Sequence, residues 1–260
     1  MRVISTALLV LIFCCVAAAQ NMTDREFAGL KGTVKTAEDW SQKLGPDGKP
    51  VGEAEAELQT TFDENGNRTE LRTFGEWQVH TTYFLFKGEQ VSKSEFSGKD
   101  PFDKIKLPKG VQLHKNKSSG PFDRKYKYKY DEKGRIVEIS EYDTEGHPAT
   151  NKYVYDDAGR KMSETESSGG SAGATSYKYD DSGNLSEAVS QQTLHVLKGF
   201  GNSIQNGPLI TTVEKHSSTA RYSDYAFDKQ GDWTKRTATY LDDKGKVKGI
   251  FLEVRYFTYY

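Results

Sequence analysis

Cysteine is almost missing from this chain: the only two, Cys14 and Cys15, sit side by side near its start. Met1-Arg2, the apolar run Val3 to Val16 and then Ala17-Ala18-Ala19-Gln20 have the layout of a secretory signal peptide, with the small-x-small rule placing cleavage after Ala19. A transmembrane anchor is the competing reading, but the run is short for a span and no basic stop follows it. A lipobox wants a small residue just before its cysteine, and neither Phe13 nor Cys14 is one, which argues against acylation of Cys14 or Cys15. Cleavage removes both thiols, so disulfides and thiolate metal sites are excluded from residues 20–260. An exported yet unstapled chain suits a secreted or periplasmic bacterial envelope protein, outer-membrane association included, better than a small disulfide-built ectodomain.

An excess of charge of either sign is also lacking. The 36 basic and 37 acidic residues leave a formal charge of −1, and loss of Arg2 with the leader makes it −2. Such near-balance speaks against nucleic acid as a partner. No second apolar run is long enough to cross a bilayer, so no membrane span is expected after cleavage. Hydrophobic residues make up only 35% of the chain while 12% are aromatic, so the available core is largely Tyr and Phe, which favours a thin extended sheet over a thick globule.

Catalytic signatures are absent as well. There is no Gly-x-Ser-x-Gly elbow, phosphate-binding glycine loop or His-Glu-x-x-His run, and His80, His114, His147, His195 and His216 are scattered without metal-ligand spacing. The acid pairs Asp156-Asp157, Asp180-Asp181 and Asp242-Asp243 invite a calcium or glycosidase reading. Adjacent turn residues splay apart, however, and the first Asp of each pair has a turn to cap. No catalytic residue, cofactor or metal is expected.

What the chain does contain is a recurring turn, Tyr/Phe-Asp-x-x-Gly-polar. Its copies run Phe62 to Asn67, Tyr130 to Arg135, Tyr142 to His147, Tyr155 to Arg160, Tyr179 to Asn184 and Phe227 to Asp232, with a weaker one at Leu241 to Lys246. Asp63, Asp131, Asp143, Asp156, Asp180 and Asp228 would open type I turns by accepting backbone N–H bonds two residues on. Gly66, Gly134, Gly146, Gly159, Gly183 and Gly231 would close them at positive φ. Each copy is a hairpin tip. The spacing is about 24 residues, with half-way turns at Asp143 and Asp242, so each unit is one hairpin plus a return turn.

Period-2 alternation sets Tyr126, Tyr128 and Tyr130 on one face and Lys125, Lys127 and Lys129 on the other. Tyr153/Tyr155, Tyr177/Tyr179 and Tyr225/Phe227 repeat the aromatic pair. These rings form a seam, read first as core and second as a sugar-stacking platform. On the second reading Tyr128, Tyr153, Tyr177 and Trp233 face a ligand. Residues 20–98 read as an N-terminal β-repeat segment, 99–122 as a Pro/Lys-rich loop and 123–260 as the repeat sheet, the whole of 20–260 forming one domain. Gly199 to Pro208 breaks the register, and helix is expected only near Thr23 to Ala28.

Tyr-x-Tyr-Asp-x-x-Gly-Arg, at Tyr128 to Arg135 and Tyr153 to Arg160, resembles the YD repeat of Rhs-type surface and toxin-delivery proteins. The segment Phe227 to Arg236 resembles the closing repeat of small exported bacterial YD-repeat proteins. The resemblance spans roughly residues 120 to 260 and implies antiparallel hairpins wound into a sheet that curls into a shell in large members. The chain is far shorter than the arrays that form such shells, and neither an autoproteolytic core nor a toxin domain is expected with its repeats. The expected fold is therefore all-β, an antiparallel hairpin meander forming an open curved sheet or a partial barrel or shell. The expected function is a non-enzymatic exported scaffold or binding module whose partner is carbohydrate or an envelope protein. A hydrolase acting on envelope polysaccharide through scattered acids, and a short relic of a toxin-delivery shell, are the alternatives.

Overall fold

A computed structural model describes residues 21–75, 78–97, 120–169, 171–200 and 209–260. One short helix, α1 (Asp24–Phe27), precedes the strands β1 (Val34–Leu44), β2 (Glu55–Phe62), β3 (Arg68–Thr73), β4 (Gln78–Phe86) and β5 (Glu89–Ser97). Next come β6 (Arg124–Tyr130), β7 (Ile136–Asp143), β8 (Pro148–Tyr155), β9 (Lys161–Ser168) and β10 (Ser171–Tyr179). The chain ends with β11 (Leu185–Phe200), β12 (Leu209–Phe227), β13 (Trp233–Leu241) and β14 (Val247–Tyr259). The expected signal peptide, residues 99–119 of the expected Pro/Lys-rich loop and residues 201–208 of the expected register break at Gly199 to Pro208 lie outside the described residues.

The hairpin tips are built as the turn motif requires. At the Asp131 turn, the Asp131 N–H donates to the Arg135 carbonyl (3.0 Å) and the Gly134 N–H to the Asp131 carbonyl (2.9 Å). Asp131 Oδ1 accepts the N–H groups of Lys133 and Arg135 at 3.0 and 2.9 Å. The same bonds recur at Asp143, Asp228 and Asp242. Glycines 66, 134, 146, 159, 183 and 231 have φ between 76° and 87°, the conformation that a type I turn with a following bulge places on glycine. Side-chain bonds from Arg135 to Asp131 and from Tyr259 to Asp228, together with these backbone bonds at all six turns, hold the carboxyls of Asp131, Asp143, Asp156, Asp180, Asp228 and Asp242 below the usual range.

Neighbouring strands all pair antiparallel, as the expected all-β hairpin meander requires, and β1 also pairs with β14; of the expected forms, an open curved sheet or a partial barrel or shell, the open sheet is corrected, because the sheet closes fully into a barrel of 14 strands. Sheet twist accumulates over so many strands and brings the two ends together. Ten residue pairs from Val34↔Tyr259 to Leu44↔Ile250 then satisfy backbone groups that an open edge would leave bare. With strands about 4.8 Å apart and tilted about 40°, the ring is roughly 25–30 Å across its backbone, too wide for side chains to fill.

The aromatic face points inward. Tyr155, Tyr179, Tyr225 and Trp233, from four strands, line one common internal cavity. The lysine face points outward, where cross-strand neighbours form rows: Glu138 takes Lys129 (2.6 Å) and Lys152 (4.0 Å), and Glu187 takes Lys178 (2.6 Å) and Arg221 (3.1 Å). Within the barrel, a small apolar cluster of Leu30, Val34, Ala37 and Phe62 packs with Phe257 and Tyr259. No helix among the described residues is long and apolar enough to cross a membrane.

Candidate functional site

The turns that recur every 24 residues share one end of the barrel, and the half-way turns share the other. At the first end, residues 22–31 lie across the mouth. The Met22 N–H donates to the Gly134 carbonyl (2.7 Å) and the Arg25 N–H to the Gly66 carbonyl (2.9 Å). The Lys31 N–H donates to Asp232 Oδ1 (2.8 Å). Within this plug, α1 begins with a capping box in which Thr23 and Glu26 satisfy each other's backbone N–H. A four-residue helix has little stability of its own, so the box and the barrel wall hold it. Its Phe27 meets Tyr153 edge-on, with ring centroids 4.8 Å apart.

Between the plug and strands β8 to β14 lies a cavity of about 570 Å³, within the size range of small-ligand sites. Its wall is built from links between successive hairpins. The Tyr155 hydroxyl donates to the Ile136 carbonyl, Tyr179 to that of Lys161 and Tyr225 to that of Leu185, at 2.7 to 2.8 Å. In each case the acceptor directly follows the last residue of the preceding Asp-x-x-Gly-polar turn. Arg135 and Arg160, the final residues of two such turns, lie over the rings of Tyr155 and Tyr179 at 4.8 Å. Burial pushes the Tyr155 phenol up to about 12 and raises Tyr179 and Tyr225 as well.

Most cations of this wall are neutralised. Arg160 pairs with Asp156 (2.7 Å), Arg236 with Glu253 (2.6 Å) and Arg255 with Asp39 across the closure seam. Lys161 differs: its Nζ lies 4.3 Å from the Phe27 ring centroid and 5.5 Å from that of Tyr153, with no carboxylate at ion-pair distance among the described residues. Burial lowers its pKa, while Glu164 acts on it from farther away in the opposite sense. Asp232 is 3% exposed; its Oδ2 has no hydrogen-bond partner, and burial raises its carboxyl pKa.

Tyr128, Tyr153, Tyr177 and Trp233 all face the lumen, not an outer ligand-binding surface. Their rings are also largely committed. Tyr128 stacks on Tyr130, and Tyr153 is buried against Phe27. Trp233 has the guanidinium groups of Arg236 and Arg255 at 4.2 and 4.1 Å. Burial raises the phenol of Tyr177, and the nearby Glu164 adds to the shift. The turn residues serve as hairpin tips, and Gly159, Gly183 and Gly231 also line the cavity rim. Lys161 and Asp232 carry no distinguishing signal in the sequence, since each sits just after a turn glycine where polar residues are routine. Glu164 and Glu166 line a smaller cavity of about 130 Å³ with Thr175, Ser190 and Gln192. Among the described residues no group of three His, Cys, Asp or Glu side chains is placed to hold a metal ion.

No protein-family model matches the chain, and no curated protein matches its sequence. Among solved structures it is similar to a porin-like protein from Bacteroides uniformis, at 13% identity and a TM-score of 0.40, over 87% of this chain and 98% of the other.

Proposed function

We propose that this chain is an exported, non-enzymatic binding module that takes a small saccharide or another envelope component into its barrel lumen. The observation that carries this reading is the half-open cavity of about 570 Å³ between the plug and a wall of tyrosines and ion-paired arginines. Polar hydrogen-bonding groups set among aromatic rings are the usual dress of a site for hydroxyl-rich ligands. A lumen of this size suits a small ligand and not a folded toxin domain. The outer face supports a barrel standing in water: Lys152, in the middle of β8, and Lys129 and Lys178, next to the turn ends of β6 and β10, point outward and are at least 65% exposed. A transmembrane barrel shows an apolar band there, where each Lys or Arg costs about 2–4 kcal/mol at the bilayer midplane.

Calorimetric titration of the protein without its leader against neutral and acidic oligosaccharides and peptidoglycan fragments tests this reading. Binding should be lost when the cavity is narrowed by Ala28→Trp on the plug. Retention of binding in that variant, or a silent panel, sinks the proposal. A hydrolase is the second reading, because Glu164 and Glu166 share the lumen face of β9 and line one cavity. Release of reducing ends from a polysaccharide, abolished in Glu164→Gln, would favour it.

A further inference from the structure

We infer that the chain forms a two-fold dimer through the ribbon that β11 and β12 extend beyond the barrel, the open edge of β12 in one copy pairing antiparallel with the same edge in a second copy. This does not rest on the lumen-binding reading, because the ribbon leaves the barrel at the end opposite the plug. β10 pairs with β11 only as far as Ala172↔Thr193, and β13 with β12 only from Thr219↔Leu241 onward. The two long strands stay paired with each other past both limits, from Leu194↔Glu214 to Phe200↔Leu209. Residues 194–200 and 209–218 therefore carry, along their open edges, backbone N–H and C=O groups that no strand among the described residues takes up. A two-stranded ribbon is marginal by itself in water, whereas three or more strands hold. Another extended strand is what matches the spacing of such an edge.

The two edges of the ribbon are not alike. On β11 the open stretch is short, contains Lys198 and Gly199, and is broken by a bulge between Leu197 and Gly199, devices that keep an edge from pairing. On β12 it runs from Leu209 to Ser218 with no proline and a single lysine, and it opens on the β-branched run Ile210-Thr211-Thr212-Val213. Val213, Lys215, His216, Ser217 and Ser218 are exposed there. A second copy covers this edge with no other molecule needed. Two identical edges pair antiparallel about a two-fold axis perpendicular to the sheet, so that the residue on the axis meets itself. The overlap is greatest when the axis passes Val213 or Glu214. Glu214 on the axis would oppose two carboxylates directly, which is destabilising. Val213 on the axis places valine against valine, Glu214 opposite Thr212 and Lys215 opposite Thr211, with no like charges opposed. The product is a four-stranded sheet whose remaining edges are the bulged stretches of β11, so association stops at two copies.

The test is sedimentation velocity on the protein without its leader, on Val213→Lys, which sets two lysines face to face on the axis, and on Val154→Lys. The last is a control at a valine of similar exposure, 58% against 55%, on β8 between β7 and β9. The expected result is a dimer for the wild type and for Val154→Lys at protein concentrations up to about 100 μM, and association at least tenfold weaker in Val213→Lys. A wild-type monomer over that range, or a dimer that Val213→Lys leaves unchanged, overturns the inference. Single cysteines report the register, since both native cysteines lie in the leader. Oxidation should crosslink two copies of Val213→Cys, because directly opposed residues have Cα atoms about 4.5–5.5 Å apart, within disulfide reach. Ser217→Cys, set several residues off the axis, should stay uncrosslinked. Equal crosslinking of the two variants overturns the two-fold pairing. Amide hydrogen exchange gives a readout that needs no variant: protection of residues 209–218 should rise with protein concentration. Full protection of those residues in a monomer would mean that another segment of this chain covers the edge, and would overturn the dimer.

Discussion

Gly159 and Gly66 occupy the same place in two copies of one turn, with φ of +83° and +86°, yet their surroundings differ. A Cβ at Gly159 would meet nothing within 4 Å, so a side chain there is penalised by backbone strain alone. Gly159→Val should cost about 1–2 kcal/mol or somewhat more, and Gly159→Ala less. At Gly66 an added Cβ would come within 2.9 Å of Thr23 Oγ1, the atom that caps α1. Gly66→Ala should therefore exceed Gly159→Ala by about 1 kcal/mol, the worth of a helix cap. Urea unfolding of the two alanine variants measures the difference, and equal costs would mean that the plug does not seat on the Gly66 turn. In Gly159→Val, hydrogen exchange should quicken between residues 150 and 185 before it does elsewhere. Uniform loss along the chain would argue against hairpins as the local units of stability.

Hairpins are joined to their neighbours by more than the backbone ladder. Arg160 closes one turn, pairs with Asp156 in it and lies over Tyr179 of the next hairpin, whose hydroxyl returns a bond to the Lys161 carbonyl. Arg160→Met should cost about 1–2 kcal/mol, a charge-assisted bond and a cation–π contact discounted for partial exposure. Lys129→Met on the outer face should stay within about 0.5 kcal/mol. Equal effects in chemical denaturation would show that the inter-hairpin link carries nothing beyond a surface ion pair. The hairpins with an Asp-x-x-Gly tip were legible in the sequence because turn chemistry and period-2 alternation are local, and α1 because its capping residues are adjacent; the β4–β5 hairpin at Lys87-Gly88, which has no such tip, was not, and the segment read as a register break at Gly199 lies at the far end of the long β11–β12 pairing. Closure was not, because it depends on pairings such as Asp39 with Arg255 and Lys31 with Asp232, separated by 216 and 201 residues. Alternation separates two faces without saying which is concave, so the tyrosines could be placed together but not placed inside. The setting of Lys161 on the Phe27 and Tyr153 rings exists only once the plug is seated against β8 and β9.

Closing the sheet around its tyrosines gives the whole molecule a pH limit. Burial is the leading cause raising the phenols of Tyr83, Tyr126, Tyr128, Tyr153, Tyr155, Tyr177, Tyr179, Tyr222, Tyr225 and Tyr259 above their ordinary value of 10.0. A group whose folded pKa is raised contributes stability that is present below its unfolded pKa and is lost as pH rises toward the folded value. One pH unit above the unfolded value, each phenol that burial still keeps protonated favours the unfolded chain by about 1.4 kcal/mol. Counting only half of them, to allow for solvent screening, gives about 7 kcal/mol, comparable with the 5–15 kcal/mol that holds a typical domain. The barrel should therefore unfold cooperatively near pH 11, before its interior phenols titrate one by one. Tyrosinate absorbance at 295 nm and the sheet signal in circular dichroism, followed together from pH 8 to 12, should change in one coincident step. A gradual tyrosinate rise centred near pH 10 with the sheet signal intact would place these rings in open water, and the lumen described here would not exist.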